Sequence, residues 1–257
     1  MHEARARARS QWLHAPGGDI VRQLLAVQAQ DVRNLPKALA ARGGELRDGL
    51  VVTWLMRNTM HLVDVEDLAW LHPLFAPRMR NERRLRQLGV TDPEPAVRTI
   101  VKTLPATRAE IADALGLTGQ AVPHLIARAA AAGHLAMTVD KVYVPLKLPP
   151  PPDRDRSLDE LARRYYAAHA SATADDLAYW SGLPKRDCRP PEDGPVDDGP
   201  SPRRELPMYD ELLLGWRDRS PTVPARLAKQ VHPGGGIIRA VTVDDGVVVK
   251  VKETGPL

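Results

Sequence analysis

Residues 107–117 read TRAEIADALGL, and residues 173–183 repeat the pattern as TADDLAYWSGL. Each copy opens with Thr, carries an acidic residue three positions later, and ends in Gly-Leu. A Thr with a carboxylate at that spacing is typical of a capped helix start, and Gly is preferred just past a helix end. The repeat therefore predicts, twice, the first helix and turn of a helix-turn-helix. The alternative is a pair of helices used only for packing.

The chain around the repeat completes one such module and interrupts the other. After the first copy, residues 120–132 predict a second helix, and residues 135–139 and 142–145 predict a short hairpin, which together make a winged helix. After the second copy, residues 188–204 (CRPPEDGPVDDGPSPRR) are rich in Pro, Gly and Asp. That composition predicts a flexible loop in place of a second helix.

The N-terminal part has the same order of elements. Residues 19–30 (DIVRQLLAVQAQ) space their apolar side chains as in a helix that Asp19 would cap. Two β-rich runs, residues 50–57 and 60–63, then flank the polar pair at 58–59 and predict a hairpin. Near the C-terminus, two Val-rich runs flank Asp245-Gly246 and predict another hairpin.

The predicted fold is mainly α with small β wings, an α+β class of tandem winged helix-turn-helix modules followed by a C-terminal β-rich domain. The expected domains are winged helix 1 (1–75), a basic helix with winged helix 2 (76–148), an incomplete winged helix 3 (149–187), a flexible loop (188–205) and the β-rich domain (206–257).

Composition narrows the class of protein. The 257 residues are 43% hydrophobic and 26% charged, which is typical of a globular chain. The single cysteine, Cys188, excludes an internal disulfide and a CxxC zinc site, and it fits a reducing cytoplasm. We expect no membrane span, because no apolar run reaches about 18 residues. No His, Cys and Asp cluster has zinc-ligand spacing, so we expect neither a metal nor a cofactor.

The charge pattern indicates which part of the chain any polyanionic partner would contact. The net charge is +4, carried by 28 Arg and 8 Lys against 32 acidic residues, and the positive excess lies in residues 1–150. Residues 78–86 hold five Arg against one Glu. Such a run either contacts phosphates or forms a solvated helix face. A genome that prefers Arg codons is the alternative explanation for the Arg excess.

Three stretches together resemble one known family. They are LAVQAQD (25–31), TWLMRNTMHLV (53–63) and LPMYDELLLGWRDR (206–219). In these residues the chain resembles the tandem winged-helix DNA glycosylases of the AlkZ/YcaQ type. The resemblance implies three winged helices and a β-rich domain around a DNA channel, and an enzyme of DNA repair that removes alkylated purines without a metal. The catalytic motif of that family, Gln-apolar-Gln or Gln-apolar-Asp, falls here on Gln28 and Gln30.

The spacing of the two glutamines constrains their local structure. Side chains at i and i+2 of a helix point about 200° apart, so the two amides share a face only at a helix end or turn. We therefore predict that the helix ends at this motif. The alternative is that Gln28 and Gln30 are ordinary surface residues.

The expected partner is double-stranded DNA, bound by a monomer in the cytoplasm at the nucleoid. Candidate DNA-contacting residues are Trp54, Arg57, His61, Arg78, Arg80, Arg83, Arg84, Gln120, His124 and Arg128. Trp54 and His61 could instead belong to the core, and Asp210 could cap a helix or contact the catalytic region. A non-enzymatic DNA-binding protein or transcriptional regulator, reading DNA through the stripe Gln120, His124 and Arg128, is the competing function.

Overall fold

The computed structural model describes residues 1–15, 17–79, 81–192 and 194–252. These residues form two compact units. Unit 1 joins residues 1–48 to the described residues from 158 onward, and unit 2 is Gly49–Ser157. The mixed helical and strand content, with small antiparallel sheets, confirms the predicted α+β class. The module boundaries remain a prediction.

Unit 2 combines helices with a small antiparallel sheet. Its elements are β2 (Leu50–Trp54), β3 (Met60–Asp64), α4 (Leu68–Phe75), α5 (Glu82–Gln87), α6 (Glu94–Thr103), β4 (Ala106–Thr107), α7 (Arg108–Leu115), α8 (Ala121–Ala131), β5 (Leu135–Met137) and β6 (Val142–Pro145). Its strands run in the order β3-β2-β5-β6-β4, and neighbours are antiparallel. Both hairpins predicted in this region are confirmed.

The helix-turn-helix of unit 2 follows its local signals. The Thr107 hydroxyl accepts a hydrogen bond from the Glu110 N–H, and the Glu110 carboxylate accepts one from the Thr107 N–H. The helix ends at Gly116, whose φ of 60° is left-handed. Helix α8 follows with Pro123 in its first turn, where a missing N–H costs no helical hydrogen bond. Its apolar face is buried.

Unit 1 assembles from both ends of the chain. Its elements are α1 (His2–Ser10), α2 (Ile20–Leu24), β1 (Val27–Gln28), α3 (Leu35–Ala40), most of α9 (Arg154–Ala168), α10 (Ala174–Ser181), β7 (Arg204–Leu206), α11 (Glu211–Leu214), α12 (Ala225–Val231), β8 (Val241–Asp244) and β9 (Val247–Val251). Strands β7, β8 and β9 form an antiparallel sheet in that order.

The second copy of the repeat is capped like the first. Thr173 and Asp176 form a reciprocal capping box, and Gly182 ends α10 with a φ of 75°. No second helix follows: after a short 3-10 turn at Lys185–Asp187, the described residues of 188–203 contain neither helix nor strand. This agrees with the irregular structure that the Pro, Gly and Asp content predicts.

The turn between β8 and β9 requires its glycine. Asp245 and Gly246 both have positive φ, 53° and 79°, as the type I′ hairpin turn demands. A Cβ on Gly246 would lie 2.1 Å from the Ala4 carbonyl oxygen, so the turn packs directly on the backbone of α1. The Arg5 Nε also donates to Asp245 at 2.6 Å.

The helix predicted for residues 19–30 is shorter than expected. Asp19 caps α2 as predicted, but the helix ends at Leu24 and Leu25 adopts a φ of 71°. Residues 24–27 are all buried. Four consecutive residues of a helix would point to all sides, so continued helix would bring one of these apolar side chains toward solvent.

Candidate active site

The motif at residues 28–30 lies beyond the end of α2. Gln28 ends strand β1, and the chain then bends toward a 3-10 turn capped by Asp31. Burial alternates along this segment: Ala29 is fully buried, Gln28 is half-buried and Gln30 is exposed. Strand β1 ends at Gln28 and Gln30 lies on a bend, so the two glutamines flank a buried residue outside any helix. The helix was predicted to end at the motif, but it ends at Leu24, four residues before Gln28.

A buried carboxylate holds the backbone of the motif. The Gln28 N–H donates to Oε1 of Glu211 at 2.9 Å, and the Trp180 indole N–H donates to Oε2 at 3.3 Å. Glu211 is 3% exposed. Burial raises the pKa of its carboxyl to about 7, although the hydrogen bonds from Gln28 and Trp180 act to lower it. The Asp210 carboxylate raises this pKa and the Arg42 guanidinium lowers it.

An ion pair anchors the residue next to this carboxylate. Arg42 donates to both carboxylate oxygens of Asp210, at 2.8 and 2.9 Å, and each residue is 1% exposed. Asp210 also accepts from the Leu212 N–H and so caps α11. Arg42 further donates to Gln11 and to the Ala38 carbonyl. Of the two roles considered for Asp210, capping is confirmed, and the ion pair adds to it.

Aromatic rings surround the second partner of Glu211. Trp180 packs against Tyr165 and His169, with ring centroids 5.1 and 5.7 Å away. Tyr165 donates to the Gly215 carbonyl at 2.7 Å. Burial lowers the pKa of His169 to about 3, so its ring is neutral at physiological pH. The Trp180 indole is therefore fixed by packing on several sides.

The β2–β3 hairpin carries three predicted DNA-contacting residues. Arg57 is exposed in the turn with a φ of 52°, and Trp54 is half-buried. His61 is buried, and its Nδ1 lies 2.9 Å from the Thr59 carbonyl oxygen. Burial lowers the pKa of His61 to about 3, so its side chain offers no positive charge to a phosphate near neutral pH.

The predicted basic run is solvent-facing where the structure describes it. Arg78 lies on a 3-10 turn, and Arg83 and Arg84 lie on α5; all three are exposed. Arg80 lies outside the described residues.

Helix α8 does not present its polar stripe freely. Gln120, just before the helix, is exposed and His124 is half-buried. Arg128, however, donates to Glu82 at 3.1 Å and to Glu94 at 3.3 Å. A recognition helix would have to break these ion pairs before Arg128 could contact a base.

Sequence reasoning missed three residues around the motif: Glu211, Trp180 and Arg42. No local pattern marked them, because their contacts join residues 31 to 183 positions apart in the chain.

Within the described ranges, no three or more His, Cys, Asp or Glu side chains are grouped closely enough to hold a metal ion. None of the helices described is both long and apolar enough to cross a membrane.

The family described as DNA glycosylase AlkZ-like matches residues 21–193, two thirds of the chain. The chain belongs to the AlkZ-like DNA glycosylase family. It is a DNA glycosylase, a hydrolase of N-glycosyl bonds that acts on DNA in repair, as the sequence resemblance predicts. The competing prediction of a regulator is not favoured.

The fold is similar to that of a solved DNA glycosylase structure. The Streptomyces sahachiroi DNA glycosylase AlkZ superposes with a TM-score of 0.74 at 20% identity, over 98% of this chain and 87% of that one. This likeness fits the winged-helix description of the AlkZ-like fold. No curated protein sequence matches the chain.

Proposed function

We propose that this AlkZ-like glycosylase hydrolyses the N-glycosidic bond of N3- or N7-alkylated purines in double-stranded DNA, and that Gln28 and Gln30 position the water. One observation carries the proposal. Gln28, half-buried, and Gln30, exposed, flank the fully buried Ala29 on a segment that is not helical. This alternation supports a shared role of the two side chains at one substrate.

The chemistry of such a lesion suits neutral side chains. An N3- or N7-alkylated purine already carries a positive charge, so it leaves without being protonated. The sugar passes through an oxocarbenium-like state that a water molecule captures. Each Gln amide offers an acceptor for the water and donors for the sugar or its phosphates. The enzyme therefore needs no carboxylic acid beside the leaving base.

Exposed basic side chains would contact the phosphates of the DNA. Arg57, Arg78, Arg83 and Arg84 are exposed and suited to phosphates, and the half-buried Trp54 is suited to wedging at the lesion. Arg80, His61, Gln120, His124 and Arg128 remain candidate contacts. We further propose that the protein acts as a monomer in the cytoplasm on nucleoid DNA.

The experiment is release of free 7-methylguanine from methylated duplex DNA, measured by mass spectrometry under single-turnover conditions. The double variant Gln28→Ala with Gln30→Ala is expected to lose at least about 100-fold in rate, the scale of losing a transition-state hydrogen bond. Gln230→Ala, an exposed glutamine on α12, is the matched control and keeps the wild-type rate. A wild type that releases no base, or a double variant that releases it as fast as wild type, overturns the proposal.

Two further arms test the finer points. Single-stranded methylated DNA of the same sequence should be processed more slowly than the duplex. Light scattering of the free protein should give the mass of one chain, 28.3 kDa. Equal rates on both substrates contradict the duplex preference, and a doubled mass contradicts the monomer.

A further inference from the structure

We infer that Glu211 is a positioning residue for the reaction. It holds the backbone at Gln28 in place, and this fixes where the Gln28 and Gln30 amides lie relative to the substrate. This inference rests on the proposed function of Gln28 and Gln30. Glu211 belongs to the stretch at 206–219, which marks the family resemblance but to which the proposed chemistry gives no role.

Glu211 is fixed before it reaches the motif. It begins the short helix α11, whose N-cap, Asp210, is held by the bidentate contact with Arg42. The Cα of Glu211 therefore follows an anchored, fully buried neighbour. Its side chain then reaches a residue 183 positions earlier in the chain.

The carboxylate contacts one main-chain N–H and one indole N–H, and neither of the proposed reacting side chains. Oε1 accepts from the Gln28 N–H and Oε2 accepts from the Trp180 indole N–H, so each carboxylate oxygen has a donor. With 3% of the residue exposed, the carboxylate is shielded from water. A group in this arrangement acts through the position of Gln28 and does not bind or activate the water itself.

The chemistry of the two contacts requires a carboxyl group. A carboxyl group offers two acceptor oxygens, whereas a Gln amide offers one oxygen and an NH₂ that cannot accept. Glu211→Gln therefore leaves one of the two N–H groups unpaired. Glu211→Asp is shorter by one CH₂ and cannot reach both donors from the same backbone position. Glu211→Ala removes both contacts.

The first measurement is independent of activity. Amide hydrogen exchange of Gln28, followed by NMR in the full chain, should accelerate at least about tenfold in Glu211→Ala, because a hydrogen-bond acceptor worth about 1–3 kcal/mol is lost. Tyr166→Phe is the matched control: it removes another side-chain hydrogen bond of unit 1, to the Arg189 carbonyl, and should leave Gln28 exchange unchanged. Unchanged Gln28 exchange in Glu211→Ala overturns the inference.

The second measurement separates positioning from folding. Single-turnover base release should fall about 10- to 100-fold in Glu211→Ala, since small misplacements cost up to about 100-fold, while the Kd for undamaged duplex changes less than about threefold. Glu211→Gln, which keeps one contact, should lie between Glu211→Ala and wild type. It also serves as the test if the alanine variant does not fold.

The outcomes distinguish this inference from the proposed function. If Gln28→Ala with Gln30→Ala abolishes release while both Glu211 variants keep the wild-type rate, only the positioning role fails. If the glutamines are dispensable, the proposed function fails and the positioning role with it. A loss of rate in Tyr166→Phe equal to that in Glu211→Gln would assign the effect to general destabilisation and also overturn the inference.

Discussion

Arg42 and Asp210 form a two-point ion pair in the interior of unit 1, with both nitrogen–oxygen distances below 3.0 Å and both residues 1% exposed. The pair joins the end of α3 to the start of α11. It thus ties the residues that follow the Gln28–Gln30 segment to the residue next to Glu211, which contacts that segment.

Breaking this ion pair should strongly destabilise the protein. Arg42→Met leaves the Asp210 carboxylate buried without its cation, which costs about 3–5 kcal/mol in free energy of unfolding. Urea unfolding followed by circular dichroism measures the change. Arg163→Met is the control, because Arg163 is solvent-exposed in its pair with Glu160 and surface pairs contribute about 0–1 kcal/mol. Similar losses in the two variants would contradict the prediction.

Glu211 should make stability depend on pH. Its folded-state pKa, about 7, lies above the unfolded value near 4.3. The folded protein therefore binds the proton more tightly, so this stabilisation is complete below about pH 4.3. It is lost as pH rises toward 7, by an amount on the order of 3 kcal/mol. The check is the urea midpoint from pH 5 to 8.

Glu211→Gln isolates this effect, because it removes the titrating group and leaves every other acid in place. The unfolding free energy of wild type minus that of Glu211→Gln should decrease as pH rises to 7. Above that pH the difference should stay constant. A difference that is constant across this range argues against a raised pKa at Glu211.

The salt dependence of DNA binding should identify the phosphate contacts. Removing one phosphate contact lowers the slope of log K against log salt by about 1. Arg83→Ala and Arg84→Ala should each show this change. Arg128→Ala should change the slope less, because its guanidinium is neutralised by Glu82 and Glu94. Fluorescence anisotropy on a duplex at several salt concentrations supplies the slopes; identical slopes for all four proteins would remove α5 from the proposed interface.

The Gly246 turn should tolerate no side chain. Gly246→Ala places a Cβ against the Ala4 carbonyl oxygen, 2.1 Å away, in addition to the cost of a positive φ. Gly89→Ala is the matched control, since Gly89 has a φ of 83° and open space around the added Cβ. We expect Gly246→Ala to cost about 1–3 kcal/mol more than the control. Thermal melts of both variants provide the comparison, and equal shifts in Tm would show that the clash is relieved without cost.

Local signals predicted local structure well. The capping pairs at Thr107 and Thr173, the glycines that end those helices and the hairpin turn at Asp245-Gly246 all adopt the structure that their residue types favour. In each case the deciding contacts join residues a few positions apart. Such contacts leave a pattern that a single sequence displays.

The site depends on contacts that leave no such pattern. Glu211 meets Gln28 across 183 positions, and Asp210 meets Arg42 across 168. The helical spacing of residues 20–25 also hid the strand that follows, because burial of residues 24–27 overrides that periodicity. The position of the motif was predicted through family resemblance, whereas its support became visible only in three dimensions.

The discontinuity of unit 1 has a consequence for biosynthesis. The segment with the motif leaves the ribosome early, but the carboxylate that fixes it is made 183 residues later. Closing so long a loop is slow and cooperative. Translation products that stop before α11 therefore carry Gln28 and Gln30 without the carboxylate that holds the backbone of this segment.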